Sequence, residues 1–179
     1  MATMIQWPDS QCLILVRGLP GSGKSTFAKT LSCVHFEADM YFGHPSGEYR
    51  FKKEMLPHAH DWCHRMVLLS LERGTSVVVS NTFTTFGEMG KYLQLCLTPN
   101  IPAVVIETKN QFPNTHGVPV EVIEKMKARW EPLADGTYTP TQIIDLFKAK
   151  AQAHRQRYDP SGWYPVGNPY PKEMPDESI

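Results

Sequence analysis

The stretch Gly18-Leu19-Pro20-Gly21-Ser22-Gly23-Lys24-Ser25-Thr26 constrains this chain more than any other. It reads G-x-x-x-x-G-K-S, the phosphate-binding P-loop, a motif that counts only where a strand precedes it and a helix follows. Both are present: Leu13 to Val16 is a continuous apolar run, and Lys24 to Leu31 is compatible with a helix. Glycines let the backbone curl so that successive N–H groups face phosphate oxygens, and the start of a helix adds partial positive charge. Lys24 can reach the β- and γ-phosphates of ATP, and the Ser25 hydroxyl can ligate Mg2+. The question left for the rest of the chain is where the phosphate goes.

Composition narrows the answer. A length of 179 residues suits one domain with a sizeable core, and 41% hydrophobic residues exclude disorder throughout. Lys plus Arg equals Asp plus Glu, so net charge is zero and any nucleic-acid site must be a local patch. Cys12, Cys33, Cys63 and Cys96 are scattered without a C-x-x-C pair, which points to a reducing, cytoplasmic setting. No apolar run approaches the ~18 residues of a membrane span. The start, with Gln6, Pro8 and Asp9, lacks the basic and apolar regions of a signal peptide.

Residues 1–11 read as a leader, 12–134 as the P-loop domain and 135–179 as a C-terminal helix and tail. Within the domain, Leu13–Arg17, Ser76–Ser80 and Ala103–Glu107 read as strands whose apolar runs suit a buried parallel sheet, and Val34–Ala38 reads as a second, short strand. Helices are expected from about Leu56 to Gly74, from Glu88 to Leu97 and from Pro119 to Glu131. Strands alternating with helices predict a three-layer α/β/α sandwich with a parallel sheet, the P-loop NTPase fold. Ligands in such sheets bind beyond the carboxyl ends of the strands. The P-loop, Asp39, Asn81 and the loop after Glu107 all follow strands and should converge there. Beyond Asp135, Thr139 and Pro140 open a helix that docks by Ile143, Ile144 and Phe147 and turns basic at Lys148, Lys150, His154, Arg155 and Arg157.

Phosphoryl transfer to an alcohol needs charge neutralisation on the phosphates and a carboxylate to take the proton. Asp39, one strand away from the P-loop, is the candidate base. Many P-loop enzymes also carry an acid at the end of the third strand to hold Mg2+ through water. This chain has Ser80, Asn81 and Thr82 there, which leaves Ser25 and Asp39 for the metal and Asn81 and Thr82 for hydrogen bonds to phosphate or water. His60 and His64, four apart beside His58 and Cys63, have a spacing that can bind zinc but lack the H-E-x-x-H glutamate; polar-face or substrate-facing histidines are the simpler reading.

Several stretches act together: Gly18–Thr26, Ala38-Asp39-Met40-Tyr41-Phe42, Gly47–Phe51, Ala59-His60-Asp61-Trp62, Ser80-Asn81-Thr82 and Asn114-Thr115-His116-Gly117-Val118-Pro119. They resemble the 5′-hydroxyl polynucleotide kinases of bacteriophages and related zeta-toxin-like P-loop kinases, including kinase domains fused to larger animal proteins. The resemblance covers residues 12 to 131. It implies that Asp39 is the general base, that Lys24 and Ser25 serve ATP and Mg2+, and that Lys109 to Val118 is a lid. Two departures stand out. Pro113 occupies the place of a lid arginine, and Ser80-Asn81 replace an acid-containing pair. A lost arginine removes a bidentate phosphate contact that contributes a factor of ~10³ or more in related chemistry. His116, Lys109, Arg129 or a partner can supply that charge.

The acceptor then has several forms. One is a 5′-hydroxyl end of DNA or RNA. Another is a hydroxymethylated pyrimidine within DNA, the phage-type reaction, which requires the base to leave the stack. The basic residues from Lys148 to Arg157, with Tyr158, Trp163 and Tyr164, can guide a strand by charge and stacking. Small-molecule kinases share the chemistry, and a catalytically weak ATP-binding module would share the loop. No oligomeric state follows from these features.

Overall fold

A computed structural model describes residues 7–43, 46–113 and 117–156. Five strands form the sheet: β1 (Leu13–Arg17), β2 (Val34–Phe36), β3 (Val77–Ser80), β4 (Ala103–Glu107) and β5 (Gly136–Tyr138). Their spatial order is β2-β3-β1-β4-β5. The first four are mutually parallel, as the continuous apolar runs of β1, β3 and β4 predict. The fifth is antiparallel to β4, with Ala103 opposite Tyr138 and Val105 opposite Gly136. The sheet is therefore mixed, not wholly parallel, and it continues past residue 134. A three-residue strand with no apolar alternation leaves no sequence signal, yet it covers the open edge of β4, where unpaired N–H and C=O groups would otherwise face outward. Asp135 Oδ1 reinforces the junction by accepting from Glu107 N at 2.9 Å.

Both faces of the sheet are covered. On one, Cys12, Ile14, Val16, Val78, Val104 and Ile106 pack with Ala28, Phe27 and Leu31 from α1 (Lys24–Ala28) and the turn after it. On the other, the alternate residues Leu13, Leu15, Val77 and Val79 are fully buried. Helix α2 (Leu56–Glu72) lies against β2 and β3 and buries Ala59, Cys63, Val67 and Leu71 at four-residue spacing. Of these, Val67 and Leu71 each contribute about 1.5–3 kcal/mol relative to exposure. Helices α3 (Phe86–Gln94) and α4 (Val120–Ala128) complete the alternation.

Several boundaries differ from expectation. α1 keeps α-helical bonding only to Ala28; Thr30 N and Leu31 N then bond three residues back, at 2.9 and 3.1 Å. β2 stops at Phe36, and Ala38–Phe42 coil into a 3₁₀ helix that carries Asp39. α3 begins at Phe86 because Thr85 caps it, its Oγ1 accepting from Glu88 N. The final helix, α5 (Pro140–Gln156), opens with a reciprocal cap in which Thr139 N donates to Gln142 Oε1 and Gln142 N donates to Thr139 Oγ1. Ile143 in its first turn is fully buried.

The chain divides into two compact units at Ile144/Asp145. In the second, the described residues continue α5, with Lys148 Nζ 3.6 Å from Asp145 Oδ1. Arg157, Tyr158, Trp163 and Tyr164 lie outside the described residues, as do the side chains of His154 and Arg155. No helix among the described residues is long and apolar enough to cross a membrane.

Candidate active site

The carboxyl ends of β1, β2, β3 and β4 converge, and the P-loop fills the gap after β1. Gly23 takes a left-handed φ of 87°, and a Cβ there would meet Phe112 at 2.9 Å. At Gly18 a Cβ would fall 2.3 Å from Ser22 Oγ and 2.7 Å from the Thr108 carbonyl, so only glycine fits. Gly18 N donates to the Thr82 carbonyl and Ser22 N to the Leu19 carbonyl. Ser22 Oγ and Thr108 Oγ1 are 2.8 Å apart. Gly21 accepts from Phe112 N at 2.8 Å. The loop after β4 thus sits directly on Gly18–Thr26. Asn114 and His116 of that loop lie outside the described residues.

Lys24 Nζ donates to the Leu19 carbonyl at 3.0 Å. Burial pushes its ammonium below the ordinary lysine range, opposed first by the Glu37 carboxylate and then by Asp39. Two carboxylates therefore face the P-loop lysine, and sequence reading singled out only one.

Asp39 is half-buried on the 3₁₀ helix and accepts from Tyr49 OH at 3.2 Å. Burial, then Asp39, pushes the Tyr49 phenol up to about 12, so it stays a donor at neutral pH. Asn81 holds this helix in place. Its Oδ1 accepts from Ala38 N at 3.0 Å and its Nδ2 lies 3.8 Å from Cys63 Sγ, both in the interior. The Asn81 side chain is committed to protein partners, and Thr82 reaches the P-loop through its carbonyl.

Glu37 is the residue sequence reading missed. Ser25 Oγ donates to Glu37 Oε2 at 2.5 Å, and Ser80 Oγ donates to the same oxygen at 2.8 Å. His35 Nε2 lies 2.7 Å from Ser80 Oγ and 3.7 Å from Glu37 Oε2. Burial lowers the His35 pKa, which favours a neutral imidazole. Ser25 Oγ and the Glu37 carboxylate beside it are oxygen donors, the chemistry that suits Mg2+. Asp39 is engaged on the side of Tyr49, whose hydroxyl donates to its Oδ1. The only sequence signal for Glu37 was its place at the end of β2.

The proposed arginine substitutes are placed as follows. Arg129 Nε donates to Thr84 Oγ1 at 2.8 Å, and its Nη2 is 3.7 Å from Glu88 Oε1. Lys109 is largely exposed, 3.5 Å from Glu107 Oε1. A further arginine, Arg17, is fully buried at the end of β1, its guanidinium 4.1 Å from the Trp130 ring centroid and its Nη2 donating to the Glu131 carbonyl. Burial lowers its pKa, opposed by Glu107, Asp135, Glu131 and Glu88. It pins the segment after α4 to the sheet. His64 meets the Lys91 carbonyl at 3.2 Å and the Tyr92 ring edge. Among the described residues no group of three or more His, Cys, Asp or Glu is placed to hold a metal, so His60 and His64 form no zinc site there.

Residues 13–133 match the AAA domain family. NEDD4-binding protein 2 of Homo sapiens is 31% identical over 66% of this chain, which spans only 8% of that protein's length. An uncharacterized protein of Pasteurella multocida is 27% identical, over 83% of this chain and 97% of its own length. A solved Chloroflexus aurantiacus protein, provisionally described as a kinase, superposes with a TM-score of 0.52 over 84% of this chain and all of its own, at 15% identity, a likeness of fold alone.

Proposed function

The chain belongs to the AAA domain family, and from that premise we propose that it is an ATP- and Mg2+-dependent kinase whose acceptor is a hydroxyl on nucleic acid. The P-loop amides and Lys24 bind and orient the triphosphate. Asp39 takes the acceptor's proton as the acceptor oxygen bonds the γ-phosphorus and the bond to the β,γ-bridging oxygen breaks, leaving ADP. Mg2+, when bound beside Ser25, neutralises phosphate charge. The Lys109 to Val118 loop, already bonded to Gly21 through Phe112, serves as the lid.

The observation that favours nucleic acid is the surface around Asp39. Tyr49, its hydrogen-bond partner, stacks on Phe51 at 13° and 6.4 Å, with Phe42 packed against both. Tyr41, Tyr49 and Phe51 are exposed despite their size. A cavity of about 290 Å³ beside them is lined by Tyr41, Phe42, Gly43, Arg50, Lys52 and Met55. Aromatic faces offer an unstacked base about 1–3 kcal/mol each, and Lys52 supplies a cation for the backbone beside Arg50, which is paired with Glu48.

Transfer of label from γ-labelled ATP tests the reading. The acceptors are 5′-hydroxyl DNA, 5′-hydroxyl RNA, end-blocked DNA containing hydroxymethyluracil, and free nucleosides. Label on a polynucleotide is expected, and its position selects between an end and an internal base. Label confined to free nucleosides refutes the nucleic-acid acceptor; ATP binding with no label anywhere refutes the kinase. Asp39→Asn should keep ATP affinity and stop transfer.

A further inference from the structure

The third strand of this chain ends without the acid that P-loop enzymes commonly place there, but the site does not lack a carboxylate. Phe36 pairs with Val79, so the next residues along the two strands, Glu37 and Ser80, lie side by side. Val16 of β1 pairs with Ser80 from the other side. A carboxylate leaving the end of β2 can therefore cross over the end of β3 toward the P-loop. Glu37 does so: one oxygen, Oε2, accepts from both Ser80 Oγ and Ser25 Oγ. Its side chain is only 16% exposed, so little solvent competes for these bonds.

We propose that Glu37 is the metal-positioning carboxylate of this site, supplied from β2 in place of the absent acid of β3. The role rests on the phosphotransfer reading. A serine hydroxyl that gives its proton to Glu37 keeps its lone pairs for a cation. Glu37 also brings a negative charge that Ser80, Asn81 and Thr82 cannot. Mg2+ takes few protein ligands and retains water, so one hydroxyl held by one carboxylate is a sufficient protein share. Asp39 is thereby released from the metal and left to the acceptor, on the side where Tyr49 holds it.

The test measures how much Mg2+ strengthens binding of a non-hydrolysable ATP analogue, by calorimetry with Mg2+ and with EDTA. It needs no acceptor, so it decides the role of Glu37 even if no acceptor is found. Glu37→Gln should cut the Mg2+ enhancement by roughly 10–100-fold, the usual effect of removing a group that orients a metal ligand. Affinity in EDTA should stay within about twofold of wild type by the same argument. Glu37→Ser combined with Ser80→Asp returns the acid to β3 and should restore most of the enhancement, which a merely structural role for Glu37 would not predict. Full enhancement in Glu37→Gln overturns the assignment, and so does a double variant that recovers nothing over Glu37→Ser alone.

Discussion

Replacing Asn81 by alanine separates two roles for the end of β3. Read from sequence, Asn81 is a phosphate or water ligand. In the fold its Oδ1 accepts from Ala38 N, the first residue of the 3₁₀ helix that carries Asp39, and both groups are buried. Alanine leaves that N–H without its acceptor. An unsatisfied buried donor costs about 1–3 kcal/mol. At roughly 2–4 °C per kcal/mol for a domain of this size, a loss near 2 kcal/mol lowers Tm by about 4–8 °C. The helix also loses its tie to the sheet. A misplacement of about 1 Å at a reacting group can cost 10²-fold, so kcat should fall by roughly 10–100-fold. KM for ATP should hold, because the P-loop amides and Lys24 are untouched. Thermal melts and steady-state kinetics suffice as assays. An unchanged Tm with a raised KM for ATP would show that Asn81 faces the phosphates and that the positioning argument is wrong.

Other perturbations address other parts of the molecule. Lys24→Ala should abolish transfer in the label assay, since no other described cation is built into the P-loop. Gly18→Ala should weaken nucleotide binding by at least about tenfold in calorimetry, because the new Cβ collides with Ser22 and the Thr108 carbonyl and close approach of the loop to phosphate is lost; normal affinity would refute the steric argument. Arg17→Ala should lower stability by about 1.5–3 kcal/mol, because the Glu131 carbonyl loses its charged donor and Trp130 its cation, and a denaturant midpoint close to wild type would discount that role. The Tyr49 phenol, held protonated up to about 12, contributes stability that is complete below the ordinary tyrosine range and fades as pH rises from 10 toward 12. Tyr49→Phe should flatten that alkaline limb in melts recorded against pH.

The P-loop was legible because its chemistry is local: glycines, Lys24 and Ser25 are neighbours in the chain, and each residue type states its own role. The buried strands β1, β3 and β4 were legible for a similar reason, since a continuous apolar run has few other uses. Asp39 was singled out by its position after β2, whereas the 3₁₀ turn that presents it was not foreseen. Glu37 stood two residues away and was passed over, because nothing along the chain says that a residue after β2 will reach Ser25 and Ser80. Only the β2–β3 register does that. β5 escaped because three residues carry no periodicity, and the role of Arg17 because its partners, Trp130 and Glu131, reach it only through the fold.

The sequence by itself determined that a P-loop follows the first strand, that a layered α/β core supports it, and that a carboxylate stands one strand away. Tertiary structure alone decided which carboxylate faces Ser25, which faces the aromatic surface, and that Asn81 works on the backbone of Ala38. Local motifs depend on neighbours fixed by covalent bonds, whereas these roles depend on strand pairing that brings residues 43 positions apart to within hydrogen-bonding distance.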